Sequence, residues 1–144
     1  MQAYETLTSA FSRHAKLNTA ARKLGWDQRV MMPPGGADDR GEEMATLSAI
    51  AHETIASPAI ADSLDALTGA NLDEVQAANI REMRRMHQHA AAVPSDLISA
   101  RETTTARCEF AWREARANGD YQSLLPLFED VLTVVREIAA AKSE

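Results

Sequence analysis

Apolar residues recur along this chain about every 3.6 positions, which is the period of an α-helix that buries one face. In the first stretch this stripe is carried by Tyr4, Leu7, Phe11, Leu17, Ala21 and Leu24. Five further stretches with the same period begin near residues 37, 58, 71, 96 and 120. The pattern predicts an all-α fold, a bundle of about six helices that includes long antiparallel helical hairpins.

Proline, glycine and capping residues separate these stretches. The segment Pro33–Gly36 is expected to end the first helix at Val30 and to let the chain reverse, since proline lacks a backbone donor and glycine tolerates tight turns. Asn71 and Glu74 have the spacing of a capping box, which predicts that the fourth helix opens at residue 71 and runs to about 92. Gly119 is the expected left-handed stop after the fifth helix.

Composition supports the helical prediction and sets the size of the fold. The chain has 144 residues, with 27 alanines against only six valines and six isoleucines. Alanine favours helices because it loses no side-chain entropy there, whereas β-branched residues do. The length suits one folded unit, so we expect a single helical domain over residues 1–144.

Charge and cysteine content narrow the range of partners. The formal net charge is −6 and the fifteen basic residues are scattered, so a nucleic acid is not an expected partner. No apolar run is long enough for a membrane span and the N-terminus lacks the pattern of a signal peptide, which predicts a cytoplasmic protein outside the membrane. The single cysteine, Cys108, cannot form an intramolecular disulfide and is interpreted as a packed small hydrophobe.

The four histidines do not form a metal site by their spacing. His52 begins an H-E-x-x-H pattern, but the second histidine is replaced by Ala56, so we interpret this stretch as a solvated helix end. His87 and His89 lie two positions apart on a helix and therefore point in different directions, with one of them facing water. His14 falls near the apolar stripe and is expected to be half-buried and hydrogen-bonded. We therefore predict no catalytic, cofactor-binding or metal-binding residue in this chain.

The most unusual segment is LGWDQRVMMPPGGADDRGEE at residues 24–43. We expect Asp27 to pair with Arg40 or to cap the turn, and Trp26 to be largely buried over it. These side chains are interpreted either as a structural lock on a helical hairpin or as part of a substrate cleft. The candidate residues are Trp26, Asp27, Met32, Pro33, Gly35, Gly36 and Arg40.

This segment resembles the N-terminal region of the thermostable carboxypeptidases of the carboxypeptidase Taq type. A weaker likeness lies at residues 111–139, AWREARANGDYQSLLPLFEDVLTVVREIA, so the two matches bracket most of the chain. The resemblance implies a zinc metallopeptidase that removes residues from peptide C-termini and whose H-E-x-x-H helix lies downstream of the region found here. Zinc is therefore expected in the full-length protein and not in this chain.

Two functions stay open at this point. In the first, the chain is the N-terminal helical domain of a zinc carboxypeptidase, forms part of the wall of the peptide-binding cleft and is inactive alone. Its partner is then the remainder of the peptidase. In the second, it is a stand-alone helical interaction or regulatory module derived from that lobe. For the isolated lobe, apolar surface on the last two helices is expected to be exposed, and association as a homodimer would cover it.

Overall fold

A computed structural model describes residues 2–143, with Pro34 described by its backbone alone, and the helical prediction is confirmed across this range. Five long helices and one short helix follow one another, and a single 3-10 turn at Pro34–Gly36 joins the first two. The helices are α1 (Gln2–Val30), α2 (Ala37–Ala56), α3 (Pro58–Asp65), α4 (Glu74–Ala91), α5 (Ser95–Asn118) and α6 (Tyr121–Ala141). No strand occurs between residues 2 and 143.

Helix α2 is the centre of the architecture, because α1, α4 and α5 all pack against it. The side-chain bonds give the directions of these helices. His14 of α1 bonds to Ala51 near the end of α2, whereas Arg40 near the start of α2 bonds to Leu24 near the end of α1. The two helices are therefore antiparallel. Helix α6 folds back on α5 and packs chiefly against it. The expected long antiparallel hairpins are therefore present.

The main apolar core lies among the first four helices. It contains seven buried residues from α1 to α4 and the α3–α4 connection, namely Leu7, Phe11, Ile55, Ile60, Leu64, Leu67 and Ile80. Buried residues also occur in the last two helices, including Ala115, Leu124 and Ile138, but they lie outside this cluster. The α5–α6 hairpin is thus attached to the bundle chiefly through α5, and within residues 2–143 α6 packs chiefly on α5.

Several connections differ from the sequence prediction in detail. Helix α4 begins at Glu74 and not at residue 71, because Asp73 and Gln76 form the capping box: the Asp73 carboxylate accepts from the Gln76 backbone N–H at 2.8 Å. Two glycines adopt left-handed backbone angles, Gly69 with φ 77° and Gly119 with φ 67°. Gly119 is the predicted stop of α5.

No helix within residues 2–143 is both long enough and apolar enough to cross a bilayer.

Candidate functional site at the first helical hairpin

Arg40 fastens the start of α2 to the end of α1. Its Nη1 atom lies 2.7 Å from Asp27 Oδ2 and donates to the Leu24 carbonyl oxygen at 2.9 Å, and its Nε donates to Glu43 Oε2 at 2.9 Å. The Arg40 side chain is only 16% exposed, so its charge is partly withdrawn from water. The hydrogen bond to Asp27 is the main cause that raises the pKa of Arg40. The structure contains the pairing of Asp27 with Arg40 that we inferred from the sequence.

The backbone of Asp27 also ends α1. Its carbonyl oxygen accepts from the backbone N–H groups of Met31 at 2.8 Å and Met32 at 3.0 Å. Gly36 approaches the same turn so closely that a β-carbon there would lie 3.2 Å from Met32 Cγ. Gly36 therefore matters through close approach, since its φ of −91° is open to any residue. Gly35 has no heavy atom within 4 Å of the equivalent position.

The expectation that Trp26 is buried is wrong. Trp26 is 60% exposed, and the neighbouring Val30 and Met31 are 57% and 67% exposed. The reason lies in helix geometry: Trp26 is two positions after Leu24 and so points about 200° away from the apolar stripe. Trp26, Val30 and Met31 together form an exposed apolar surface at the end of α1, which we call the hairpin tip.

A second set of bonds, absent from the sequence predictions, ties the end of α1 to α5. Arg29 Nε donates to Glu109 Oε1 at 3.0 Å, while Arg113 Nη1 donates to the Gln28 carbonyl oxygen at 3.4 Å. Gln28 is the polar residue most withdrawn from solvent, at 6% exposure. These contacts join residues about 80 positions apart. Their only sequence signal is that Gln28 follows Leu24 by one helical turn and therefore shares its buried face.

Three of the four histidines bond to carbonyl oxygens on neighbouring helices. His14 Nδ1 donates to Ala51 at 2.9 Å, which confirms the half-buried, hydrogen-bonded position inferred for it. The other two form a reciprocal pair between α2 and α4: His52 Nε2 donates to Ala90 at 2.8 Å, and His87 Nδ1 donates to Ile55 at 2.7 Å. His52 is therefore not at a solvated helix end, as its position in the sequence suggested.

His89 is the histidine that faces water, as the H-x-H spacing indicated. Within residues 2–143, no three histidine, cysteine, aspartate or glutamate side chains converge in a way that could hold a metal ion.

The other prominent surface is an apolar groove between α5 and α6. Its volume is about 800 Å³, and its walls include Trp112, Leu124, Phe128 and Val131. Trp112 and Phe128 are 43% and 42% exposed, and the Arg116 guanidinium lies 5.1 Å from the centroid of the Trp112 ring. Cys108 also lines the groove, and burial raises the pKa of its thiol. The thiol is therefore protonated at neutral pH, as expected of a packed side chain.

These features define an all-helical region with a clamped hairpin, two exposed apolar surfaces and no metal site among the described residues. Residues 6–144 match the family model of the carboxypeptidase Taq (M32) metallopeptidases. Because the match spans nearly the whole sequence, the chain belongs to this family.

Individual relatives agree with the assignment and show how much of a family member is present. The chain is 30% identical over 141 residues to thermostable carboxypeptidase 1 of Thermus thermophilus, and 27% identical over 139 residues to that of Pyrococcus furiosus. These matches cover 95% and 94% of this chain but 28% of each relative.

The fold is also found in solved structures. Metallocarboxypeptidase 1 of Trypanosoma cruzi matches with a TM-score of 0.75 at 27% identity, over 100% of this chain and 29% of that one. The carboxypeptidase of Pyrococcus furiosus matches with a TM-score of 0.73 at 25% identity, over 98% of this chain and 29% of that one. The chain therefore spans less than a third of the length of these relatives.

Proposed function

We propose that this chain is the N-terminal helical region of a zinc-dependent carboxypeptidase, in which it forms part of the wall of the peptide-binding cleft and is not catalytic alone. The observation that carries the proposal is the pair of exposed apolar surfaces in a chain that spans 28% of its curated relatives. Exposed aromatic and aliphatic groups of this size usually have a partner. The remainder of the peptidase is the partner that the family membership offers.

The two surfaces have different parts in this proposal. The α5–α6 groove is apolar, and α6 packs chiefly on α5 alone, so it suits permanent packing against further helices of the same polypeptide. The hairpin tip adjoins the Asp27–Arg40 pair, which joins the end of α1 to the start of α2. A tryptophan side chain has only two torsions, so an exposed one can contact peptide without a large loss of side-chain entropy, which suits a cleft wall.

Zinc and the catalytic base belong, in this proposal, to the remainder of the protein. A catalytic zinc site needs three protein ligands and an open position, together with a base near the bound water. In this chain His14, His52 and His87 are bonded to backbone carbonyls of neighbouring helices. The proposed cytoplasmic location rests on the single cysteine, Cys108, which has no second cysteine in this chain for an intramolecular disulfide.

Metal analysis and a peptidase assay on the 144-residue chain test the first half of the proposal. After incubation with zinc and dialysis into metal-free buffer, we expect less than one bound zinc ion per chain and no release of the C-terminal residue from a blocked dipeptide. Stoichiometric zinc with turnover that a chelator abolishes would contradict it.

The genomic reading frame tests the second half and separates the peptidase from a stand-alone interaction module. An H-E-x-x-H helix encoded downstream in the same frame supports the peptidase. A stop codon directly after Glu144, together with a strictly monomeric chain that binds no apolar dye, would instead favour the self-sufficient module. Self-association of the isolated chain through the α5–α6 groove is the expected behaviour of an uncovered lobe.

A further inference from the structure

A small open pocket of about 540 Å³ lies between helix α4 and the connection that precedes it. Its floor is apolar and contains Leu67, Leu72 and Ile80, of which Leu67 and Ile80 are each 8% exposed. No aspartate or glutamate lines it among the described residues. A pocket lining without acidic residues is unusual in a chain whose formal net charge is −6.

Three arginines stand along one side of this pocket. Arg81, Arg84 and Arg85 occupy positions i, i+3 and i+4 of α4 and therefore share one helix face. Arg84 is fixed by the fold: its Nη2 donates to the Leu64 carbonyl oxygen at 2.8 Å, and its Nη1 lies 3.1 Å from Asp65 Oδ1. Arg84 thus fastens α3 to α4 and gives the pocket a defined wall.

The other two guanidinium groups are available to an incoming anion. Arg81 is exposed and has no ion-pair partner in the part of the chain that the structure describes. Arg85 pairs with Glu82 through two hydrogen bonds, Nε to Oε2 at 2.9 Å and Nη2 to Oε1 at 2.5 Å, and both side chains are more than half exposed. Water competes for both charges of an exposed pair. A ligand carboxylate therefore binds Arg81 directly and competes with Glu82 for Arg85.

We propose that this pocket binds a small carboxylate that carries an apolar group. The carboxylate would bond to Arg81 and Arg85, and the apolar group would lie on Leu67 and Leu72. A guanidinium matches a carboxylate with two parallel hydrogen bonds, and the apolar floor excludes small hydrated anions as good ligands. Two sources supply this chemistry: the C-terminal residue of a peptide, or an acidic side chain next to an apolar one. The site does not depend on the proposed peptidase role.

Titration of the isotope-labelled chain with N-acetyl-leucine, followed by amide NMR spectra, tests the pocket. We expect saturable shifts confined to residues 67–72 and 80–88, with a dissociation constant on the order of millimolar for so small a ligand. N-acetyl-leucine amide, which lacks the charge, and inorganic phosphate, which lacks the apolar group, should shift these signals far less at equal ionic strength. Equal shifts from all three compounds would overturn the proposal.

Charge-neutral variants identify the residues responsible. Arg81→Gln and Arg85→Gln should each weaken binding of N-acetyl-leucine about tenfold, which is the usual effect of losing one charge-assisted contact. Arg22→Gln removes the same charge from an exposed position of α1 outside the pocket and should leave binding unchanged. An equal loss in all three variants would show a general charge effect and refute the site.

Two peptides then distinguish the sources of the carboxylate. One is acetyl-Ala-Leu with a free C-terminus, and the other is acetyl-Glu-Leu with an amidated C-terminus. Stronger binding of the first assigns the pocket to chain ends, and stronger binding of the second assigns it to acidic segments. Failure of both, with N-acetyl-leucine also inactive, would contradict the proposal while leaving the peptidase role untouched.

Discussion

Replacing Trp26 with alanine should cost little stability, although tryptophan is the largest side chain in the hairpin segment. A fully buried aromatic side chain covers about 150–250 Å², and about two-fifths of Trp26 is covered. At about 25 cal/mol per Å², this area corresponds to about 1.5–2.5 kcal/mol as an upper limit. Alanine keeps the covered backbone and β-carbon and is the better helix former, so we expect a loss of about 1 kcal/mol or less.

Urea unfolding followed by far-ultraviolet circular dichroism measures this loss without relying on tryptophan fluorescence. Leu64→Ala is the matched control, since Leu64 is 1% exposed in the main core and should lose about 2–5 kcal/mol. A loss above about 3 kcal/mol for Trp26→Ala would refute the reasoning and show that the side chain packs in solution. A small loss, as expected, would mean that the tryptophan serves contact with something outside this fold.

Three further predictions concern two glycines, the Cys108 thiol and the Asp27–Arg40 pair, which we call the clamp. Gly35→Ala should stabilise the chain by about 0.4–1 kcal/mol, because nothing crowds the new methyl group. Gly119→Ala should destabilise it by about 1 kcal/mol, because residue 119 has a left-handed backbone conformation. Calorimetric melting of the two variants shows whether each change raises or lowers the stability. Cys108 should react with iodoacetamide more slowly than glutathione does at neutral pH, and faster as the pH rises, because burial raises the pKa of its thiol. The raised pKa also makes folding less favourable once the pH passes the pKa of the unfolded thiol. A reaction rate equal to that of glutathione would contradict the prediction. Arg40→Gln should lower the melting temperature more than Arg85→Gln, which breaks only a pair whose two side chains are both more than half exposed. Equal shifts would show that the Asp27–Arg40 pair is dispensable for stability.

The helices and the clamp could be predicted from sequence because each depends on nearby residues. Helix α6 begins at Tyr121, directly after the capping residue Asp120. The Asp120 carboxylate accepts from the backbone N–H of Ser123, which is only three positions away. Asp27 and Arg40 are separated by a single turn, so the hairpin that brings them together is specified by the residues between them. When two bonded residues are close in sequence, few other partners are within reach of either one. Helix caps and the Asp27–Arg40 pair can therefore be inferred without a structure.

Other features depended on choices that local sequence leaves open. Asn71 and Asp73 both precede a suitable partner three positions on, and the structure has the capping box at Asp73 with Gln76. The bond from Arg29 to Glu109 requires α5 to return beside the end of α1, which no local pattern specifies. Trp26 is different, since its helix position already indicated exposure. The direction in which a side chain leaves its helix, and not its size, decides the exposure of Trp26.

The histidines link the fold to the absence of a metal site within residues 2–143. Ile55 and Ala90 lie in the last turns of α2 and α4, where helix geometry leaves carbonyl oxygens without intrahelical partners. His87 and His52 donate to these two oxygens, so each helix satisfies the end of the other, and the exchange holds the pair antiparallel. Each imidazole uses one ring nitrogen in this exchange, and the other nitrogen of His52, Nδ1, is buried with no hydrogen-bond partner among the described residues. No group of three His, Cys, Asp or Glu side chains that could hold a metal ion forms within residues 2–143, so the bonds of His52 and His87 account for these residues as links between helices.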